Sequence, residues 1–320
     1  MGLAVPSRWA QDVPLTQLTT WRIGGPARYV SRPPDLSALR DDLRIARGLA
    51  LPLFVVGAGA NLLFPDRGYP GLIVRLPSGP PRFCAGPGEA ADAAASQGAL
   101  CAPIRATLPA GAPLGASAHG LAEQGYAGLE WAEGIPGTLG GAVVNNAGAY
   151  GGDMAGVVEG VEMLGLDGRL EPWPAERLQF GYRRSALKGQ EPTRRILAAV
   201  HLRLSTAPPA ALAQRVADYR ARREARTPCG ASCGCVFRNP PGEPAGRLIE
   251  RAGLAGRSVG DARVAEGHAN YIVNHGRARA ADVLKLLRLI RERVREESGV
   301  ALELEVQLVG FPQAVQEEFA

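Results

Sequence analysis

The chain has 320 residues, of which 46% are apolar, and a formal net charge of +5. Its length predicts one very large domain or two to three ordinary ones, and its apolar content is that of a well-packed globular protein. No uninterrupted apolar run approaches the roughly 18 residues that a membrane span needs. Residues 1–14 also lack the basic-then-apolar layout of a signal peptide. We therefore expect a cytoplasmic protein, and its mild basicity is compatible with an anionic small-molecule substrate.

The first 78 residues predict a compact β-α-β unit followed by a further strand. Residues 1–18 are typical of an arm or a first helix, and residues 18–30 of two strands separated by a glycine turn. Apolar side chains recur at helical spacing over residues 35–48. Residues 51–64 predict a buried strand that enters a second glycine turn, and residues 71–76 another strand.

The rest of the chain alternates helices and strands. The predicted elements are short strands and an Ala-rich helix (89–98) between residues 82 and 101, a helix (114–125), a hairpin (157–170), a strand (194–205), a basic helix (211–226), a short helix (245–254), a strand (268–274), an amphipathic helix (280–300) and a closing strand (302–310). The Pro/Ala-rich residues 206–211 mark the predicted domain boundary.

The segment GIPGTLGGAVVNNAGAYGGD, residues 134–153, carries seven glycines. Glycine loses more backbone freedom on folding than any other residue, so a run this dense needs a compensating reason. A flexible linker is one reason, but linkers are usually polar and Ser-rich, whereas this segment includes Ile135, Val143 and Tyr150. We favour a backbone brought close to a ligand, because bare N–H groups in turns form concavities that suit a diphosphate. A structural cluster of turns is the alternative.

A second glycine turn lies in VVGAGANLL, residues 55–63. It differs from a dinucleotide fingerprint, because Leu62 stands where that motif needs its third glycine and no acidic residue ends the next strand. We therefore exclude a Rossmann site. Backbone N–H groups around Gly57, Gly59 and Asn61 remain candidates for a diphosphate contact. Two glycine cradles suit a two-part nucleotide such as FAD.

Three further stretches carry reactive side chains. FGYRRSALK (180–188) presents Arg183, whose planar fork suits a carboxylate or an enolate. PCGASCGCVFRNP (228–240) combines thiols, glycines and a basic tail, and LELEVQLVG (302–310) places Glu303 and Glu305 on one face of a predicted strand. At a pocket edge one glutamate would act as an acid, a base or an orienting group. The structural alternatives are a solvated loop, a loop with a buried Cys and a solvated strand face.

Two other kinds of function are weighed and set aside. Cys229, Cys233 and Cys235 lie close together, but no fourth Cys or His stands near them in sequence, so we expect no metal site. The basic helices at 211–226 and 280–297 suggest nucleic-acid binding as an alternative of another class. Acidic residues among the basic ones favour ordinary solvated faces instead, and we expect neither a nucleic-acid nor a membrane partner.

Eight stretches between residues 19 and 310 together resemble, in order, the UDP-N-acetylenolpyruvoylglucosamine reductase (MurB) family. They are TTWRIGGPA, VGAGANLL, GIPGTLGGAVVNNAGAYGG, FGYRRS, GCVFRNP, AGRLIERAGL, HANYIVN and LELEV…VG. The resemblance implies an α+β fold with a two-lobed FAD-binding module of the vanillyl-alcohol-oxidase type and a C-terminal α+β substrate domain. The short link between residues 205 and 211 resembles the second class of the family, which lacks an extra tyrosine-bearing loop.

The resemblance implies a reaction and three catalytic residues. NADPH reduces FAD, hydride then passes to the enolpyruvyl C3 of UDP-N-acetylglucosamine enolpyruvate, and a proton delivered to C2 completes UDP-N-acetylmuramate. Arg183 and Glu305 would stabilise the enolate-like charge, and Cys235 would donate the proton where the family usually has Ser. A thiol, with a pKa of roughly 8.5, gives up a proton more readily than an alcohol, although too low a pKa would leave a thiolate with no proton to give.

The resemblance also implies the binding residues. For FAD these are Gly57, Gly59, Ala60, Asn61, Leu62, Gly134, Ile135, Gly137, Thr138, Gly140, Gly141, Asn145, Asn146, Gly148, Ala149 and Tyr150. For the substrate they are Tyr182, Arg226, Arg238, Asn239 and His268, with Arg226 facing the UDP diphosphate. A helix-surface Arg and a strand-end His are the structural alternatives for Arg226 and His268. His119, in a predicted helix, is the only His before the glycine-rich segment, so we expect noncovalent FAD.

The prediction as a whole is a four-part chain. FAD-binding lobes span residues 1–78 and 79–205, a substrate-binding domain spans 206–300, and a closing strand and tail span 301–320. We expect a cytoplasmic monomer, an FAD-dependent UDP-N-acetylmuramate dehydrogenase that serves peptidoglycan synthesis and through it cell shape and division. The alternative is another FAD-dependent oxidase or dehydrogenase of the same fold.

Overall fold

The computed structural model describes residues 4–84, 104–165, 167–189 and 195–319. Within these ranges the α-helices are α1 (Leu36–Gly48), α2 (Leu114–Glu123), α3 (Leu139–Asn145), α4 (Pro209–Glu224), α5 (Ala245–Arg251), α6 (Ala280–Ser298) and α7 (Gln313–Glu318). Single 3-10 turns span Leu15–Gln17, Glu130–Ala132, Met154–Gly156 and Ala175–Leu178. The helix predicted at residues 89–98 lies outside the described residues.

The strands of the described ranges are mostly short. They are β1 (Ala10–Pro14), β2 (Pro26–Ser31), β3 (Leu53–Val55), β4 (Leu62–Leu63), β5 (Tyr69–Val74), β6 (Arg82–Cys84), β7 (Ile104–Pro109), β8 (Tyr126–Ala127), β9 (Gly148–Ala149), β10 (Gly152–Asp153), β11 (Val158–Gly165), β12 (Leu170–Pro174), β13 (Arg195–Thr206), β14 (Ser258–Val259), β15 (Ala262–Val264), β16 (Ile272–Asn274) and β17 (Gln307–Leu308).

The chain packs as two compact units, and the chain crosses between them more than once. The first unit comprises Met1–Val5, Arg32–Gly57 and Val74–Glu224, and the second comprises Pro6–Ser31, Ala58–Ile73 and Ala225–Ala320. Packing therefore assigns helix α4 to the first unit and begins the last segment of the second unit at Ala225. The four-part functional division stays a prediction.

A six-stranded antiparallel sheet is the centre of the first unit. Its order is β12-β11-β13-β7-β6, with β8 paired to the end of β13. Strand β13 is central because it is long and alternates buried with exposed side chains over much of its length, as in Val200, His201, Leu202 and Arg203. The buried side chains form one core with residues of α2 and α3, which places the glycine-rich segment directly beside the sheet.

Helix α6 and the small sheets around it form the second unit. Strands β1, β2 and β5 are neighbours in one sheet, β14-β15-β16 form a meander, and β17 pairs in parallel with β4. The apolar stripe of α6, which includes Val283, Leu287 and Ile290, is fully buried in the core of this unit. The helix ends at Gly299, which takes the left-handed conformation (φ 72°) that favours glycine.

Several predicted elements are confirmed and several are wrong. The helices α1, α2, α4, α5 and α6 and the hairpin β11-β12 lie where the sequence predicts them, within a few residues. The arm at residues 1–18 holds strand β1 and a 3-10 turn instead of a helix. Residues 18–23 do not form the strand predicted before the glycine turn. The Thr19 hydroxyl instead makes local hydrogen bonds with Leu15 and Ile23, which compete with a strand ladder.

The closing strand predicted at residues 302–310 is also wrong in length. Only β17 is regular there, because the segment changes backbone partners along its course. The Glu305 N–H donates to the Val236 carbonyl, whereas the Gln307 N–H donates to the Asn61 carbonyl. The strand predicted at residues 268–274 likewise shrinks to β16, because the Tyr271 N–H closes a turn onto the His268 carbonyl.

Candidate active site

The glycine-rich segment folds as a short helix followed by a tight hairpin. Thr138 caps α3, since its hydroxyl accepts a hydrogen bond from the Gly141 N–H at 3.3 Å. Asn146 ends the helix in the left-handed conformation, and Tyr150 and Gly151 turn the chain from β9 to β10. Residues 139–145 are therefore helical, and the turns of the segment lie on either side of this helix.

The two glycine motifs meet in the first unit. A Cβ atom built on Gly57 would lie 2.5 Å from the Thr138 Oγ1, so only glycine permits this approach. A Cβ on Gly140 would press against Ala110, and one on Gly148 against Gly152, so protein packing explains those glycines. A Cβ on Gly137, by contrast, would meet no described atom within 4 Å. The cradle beside Gly57, Gly137 and Thr138 thus has the bare backbone and open space that a diphosphate cofactor requires.

The remaining predicted FAD residues are divided between the units. Gly134, Ile135, Asn145 and Ala149 lie in the first unit, whereas Gly59, Ala60, Asn61 and Leu62 lie in the second. The Asn145 Nδ2 donates to the Gly141 carbonyl one helical turn earlier. Gly59 lets Leu18 and Thr19 approach, since a Cβ there would lie 2.1 Å from the Leu18 carbonyl oxygen. The FAD contacts of all these residues stay predictions.

Arg183 stands in a tight turn that follows the hairpin. Gly181 and Arg184 exchange both backbone hydrogen bonds, at 2.9 and 3.1 Å, and Arg183 between them has a φ of 52°. A non-glycine residue in the left-handed region costs on the order of 1 kcal/mol and is common at functional sites. The Arg183 Nη2 donates to the Gly148 carbonyl at 3.0 Å, so its guanidinium contacts the glycine-rich segment. Tyr182 beside it is 57% exposed.

Asn146 connects this turn to the glycine-rich segment. Its side chain is only 4% exposed. The Nδ2 donates to the Gly181 carbonyl at 3.0 Å and to the Asp153 Oδ2 at 3.3 Å, while the Oδ1 accepts from the Ala155 N–H at 3.0 Å. The carboxamide is therefore engaged on both sides by protein groups.

Helix α4 contacts Glu133, just before the glycine-rich segment, and Tyr150 within it. The sequence did not lead us to predict these contacts. The Arg220 Nη2 lies 2.6 Å from the buried Glu133 carboxylate, and this hydrogen bond raises the pKa of Arg220. The Arg223 Nε donates to the Glu133 carbonyl at 3.2 Å. The Tyr219 ring stacks on Tyr150 with centroids 5.0 Å apart. Tyr219 and Arg223 are four residues apart and so share a helix face, which is the only signal the sequence offered.

Cys235 and Glu305 both lie in the second unit, on segments whose backbones pair with each other. The Glu305 N–H donates to the carbonyl of Val236, the neighbour of Cys235, at 2.9 Å. The Asn61 Nδ2 donates to the Glu305 carbonyl at 3.0 Å, so both backbone groups of Glu305 are fixed. Burial, and then the charges of Cys235 and Glu305, raise the pKa of the Cys233 thiol well above its ordinary value. Cys233 is therefore a buried neutral neighbour of these two groups.

Glu303 lies two residues before Glu305, and its side chain pairs with Arg238 at the surface. Its side chain is exposed and pairs with Arg238, whose Nη1 lies 3.1 Å from the Glu303 Oε2. The backbones of these two residues also pair, since the Arg238 N–H donates to the Glu303 carbonyl at 2.9 Å. The Asn239 Oδ1 accepts from the Ala245 N–H at 3.0 Å and so caps α5. Arg238 and Asn239 thus have structural partners, and their substrate contacts stay predictions.

Arg226 and His268 lie in the second unit, where the positive charge of Arg226 acts on the His268 imidazole. Partial burial, and then the positive charge of Arg226, lower the pKa of His268, although a backbone hydrogen bond opposes this. The His268 ring packs edge-on against Tyr271, with centroids 4.7 Å apart. Arg226 also lines a cavity of about 360 Å³ together with Cys229, Arg263 and His275. Glu266 also lines the cavity and pairs with Arg263, so Arg226 is the lining cation that is not matched by this carboxylate.

Comparison with known proteins identifies the family of the chain. A relative from Chloroflexus aggregans, named UDP-N-acetylenolpyruvoylglucosamine reductase, is 42% identical over 97% of this chain and 100% of its own length. The chain belongs to the UDP-N-acetylenolpyruvoylglucosamine reductase family. A second relative, from Symbiobacterium thermophilum, is 42% identical over 95% of this chain and 93% of its own. The crystal structure of MurB from Thermus caldophilus is 37% identical, covers 94% of this chain and 98% of its own, and has a TM-score of 0.73.

The two family profiles match segments that lie in different packing units. The FAD binding domain matches residues 101–171, which include the glycine-rich segment. The C-terminal domain of UDP-N-acetylenolpyruvoylglucosamine reductase matches residues 225–309, which include Cys235 and Glu305. The predicted α+β fold, with an FAD-binding module and a C-terminal domain of MurB type, is therefore confirmed. No helix of the described residues is long and apolar enough to cross a bilayer.

Proposed function

We propose that the protein is an FAD-dependent oxidoreductase that uses NADPH to reduce UDP-N-acetylglucosamine enolpyruvate to UDP-N-acetylmuramate. The observation that carries the proposal is membership of the MurB family over both units, with about 40% identity to curated relatives along almost the whole chain. The backbone pairing of Glu305 with Val236, the neighbour of Cys235, supports it, because the resemblance assigns the glutamate and the proton donor to Glu305 and Cys235.

The bound FAD would accept hydride from NADPH and supply it to the enolpyruvyl C3. The glycine cradle of the first unit would bind the FAD diphosphate through backbone N–H groups, without a covalent bond to His119. Arg183 would hold the substrate carboxylate and stabilise the negative charge that develops on it, because a positioned cation in a dry site lowers the energy of an enolate-like transition state.

Cys235 would deliver the Sγ–H proton to C2 and so complete the lactyl ether. Glu305, held at both backbone groups by Val236 and Asn61, would orient that proton or stabilise the charge beside it. Arg226, Arg238, Asn239, His268 and Tyr182 would bind the UDP-sugar. We place the reaction in peptidoglycan precursor synthesis, in the cytoplasm, by a monomer; through the wall it would serve cell shape and division.

The test is the turnover of the purified protein under anaerobic conditions. The oxidised protein should show flavin absorbance, NADPH should bleach it, and the enolpyruvyl UDP-sugar should restore it with formation of UDP-N-acetylmuramate. Flavin absorbance without restoration by the sugar would favour another FAD-dependent dehydrogenase or oxidase of this fold. A protein that never binds flavin would contradict both.

A matched pair of variants tests the glutamate assignment in the same assay. Glu305→Gln should slow flavin reoxidation by the sugar about 10²-fold or more, the scale of a lost acid–base group. Glu303→Gln, which disturbs only the exposed pair with Arg238, should change it by no more than about twofold. Equal effects would show that the glutamate is misassigned.

A further inference from the structure

Three hydrogen bonds fasten the turn around Arg183 to the glycine-rich segment. The Ser185 Oγ donates to the Val144 carbonyl at 2.8 Å, the Asn146 Nδ2 to the Gly181 carbonyl at 3.0 Å, and the Arg183 Nη2 to the Gly148 carbonyl at 3.0 Å. The contacts fall on residues 144, 146 and 148 of one segment and on residues 181, 183 and 185 of the other. These three bonds hold the two segments together, and Asn146 lies between the other two contact residues of the glycine-rich segment.

We propose that Asn146 is a positioning residue for Arg183, which is a role beyond FAD binding and rests on the proposed function. Its carboxamide fixes Gly181, the first residue of the turn, while the guanidinium of Arg183 reaches back to Gly148, two residues after Asn146. The glycine-rich segment thereby determines where the Arg183 guanidinium stands.

The choice of asparagine at this position follows from two local requirements. The residue ends α3 with a φ of 41°, a conformation that asparagine and glycine adopt with least strain. The side chain must also donate to the Gly181 carbonyl and the Asp153 carboxylate while it accepts from the Ala155 N–H. Only a carboxamide of this length meets both requirements. Aspartate has the same shape but would place an oxygen against two acceptors.

Because Asn146 is buried, removal of its side chain should leave its hydrogen-bond partners without a replacement. Because the side chain is 4% exposed, water cannot readily replace its bonds to Gly181 and Asp153. The 181–184 turn keeps its own backbone pair without Asn146, so we expect the turn to shift rather than to unfold. A shift of about 1 Å in a catalytic group slows reaction roughly 100-fold.

The experiment uses the holoenzyme with Asn146→Gly and Asn146→Asp. Glycine keeps the left-handed backbone and deletes the carboxamide, while aspartate keeps the volume and exchanges the donor for an acceptor, so the second variant serves if the first does not fold. The flavin content and the rate of flavin reduction by NADPH are measured for both variants, so that reoxidation is compared per bound flavin and against each variant's own reduction rate. Reoxidation by the enolpyruvyl UDP-sugar should slow roughly 10- to 100-fold, because positioning is lost.

A double-mutant cycle with Arg183→Ala separates positioning from general damage. If Asn146 acts through Arg183, Asn146→Gly should slow reoxidation little further once the guanidinium is absent. An Asn146→Gly effect of the same size with and without Arg183 would overturn the proposal, as would loss of FAD from both Asn146 variants. Asp35→Ala, which removes the cap of α1 in the same unit, is the matched destabilised control and should leave reoxidation unchanged. A parent enzyme that the sugar does not reoxidise would instead overturn the proposed function, and the Asn146 role with it.

Discussion

Cys235 is the predicted proton donor, at a position where the family resemblance implies a serine. A thiol at the donor position can deliver a proton only while it is protonated, so its neighbours matter. Cys233, 5% exposed, is the nearest other titratable residue along the chain, and burial raises its pKa. Cys233 therefore stays protonated and adds no negative charge beside Cys235.

We predict opposite outcomes for two substitutions of Cys235. Cys235→Ser restores the donor usual in the family and should keep reoxidation by the sugar within about tenfold, whereas Cys235→Ala should slow it about 10²- to 10⁴-fold. Flavin reduction by NADPH should be unchanged in both, which stopped-flow absorbance measures separately. Cys229→Ala, at an exposed thiol, is the control. Normal reoxidation in Cys235→Ala would show that another group donates the proton.

Helix α6 illustrates an element whose stability depends on a distant residue. The Asp66 carboxylate accepts from the Ala280 N–H at 2.8 Å and from the Ala281 N–H at 3.2 Å, so it caps the helix from a segment 214 residues earlier. A carboxylate at a helix N-terminus both satisfies unpaired N–H groups and complements the helix dipole. The Asp282 carboxylate accepts in addition from the Arg279 N–H.

Asp66→Ala should therefore lower the free energy of unfolding by about 1 kcal/mol, the usual cost of a lost cap. Thermal unfolding of the flavin-bound protein measures this as a lower midpoint. Asp41→Ala, which removes one member of an exposed pair with Arg44 on α1, should change the midpoint far less. An unchanged midpoint in Asp66→Ala would mean that α6 begins without this cap.

At the scale of the whole molecule, the functional residues are shared between two units. The glycine cradle, Asn146 and Arg183 belong to the first unit, and Cys235, Glu305 and His268 belong to the second. A ligand that binds only the folded protein stabilises it, by about 2.7 kcal/mol at a concentration of 100 times its Kd. The FAD-domain match at residues 101–171 indicates where that stabilisation should be largest.

Removal of FAD should therefore lower the stability of the whole protein and, in particular, that of helix α3. We expect the apoprotein to melt at a lower temperature and to exchange amide hydrogens faster in α3, with recovery on addition of FAD. Helix α6 serves as the internal control, because none of its residues is predicted to bind FAD. Hydrogen exchange followed by mass spectrometry measures both helices at once, and equal changes in the two would contradict a cradle at α3.

The sequence by itself determined the family, the reaction class and most helices. Periodic apolar residues and capping signals are local, so α1 and α6 could be predicted from neighbours along the chain. The shared catalytic role of Cys235 and Glu305 was implied by the family resemblance and stays a prediction.

Only the tertiary structure decided which groups the asparagines and the α4 side chains contact. Asn61 and Asn146 were predicted to contact FAD, and nothing in their motifs shows that they hydrogen-bond Glu305 and Gly181. The same is true of Arg223 on Glu133 and Tyr219 on Tyr150. These contacts join residues 35 to 244 positions apart, and a hydrogen bond across such a separation depends on where the chain folds rather than on the residues beside it.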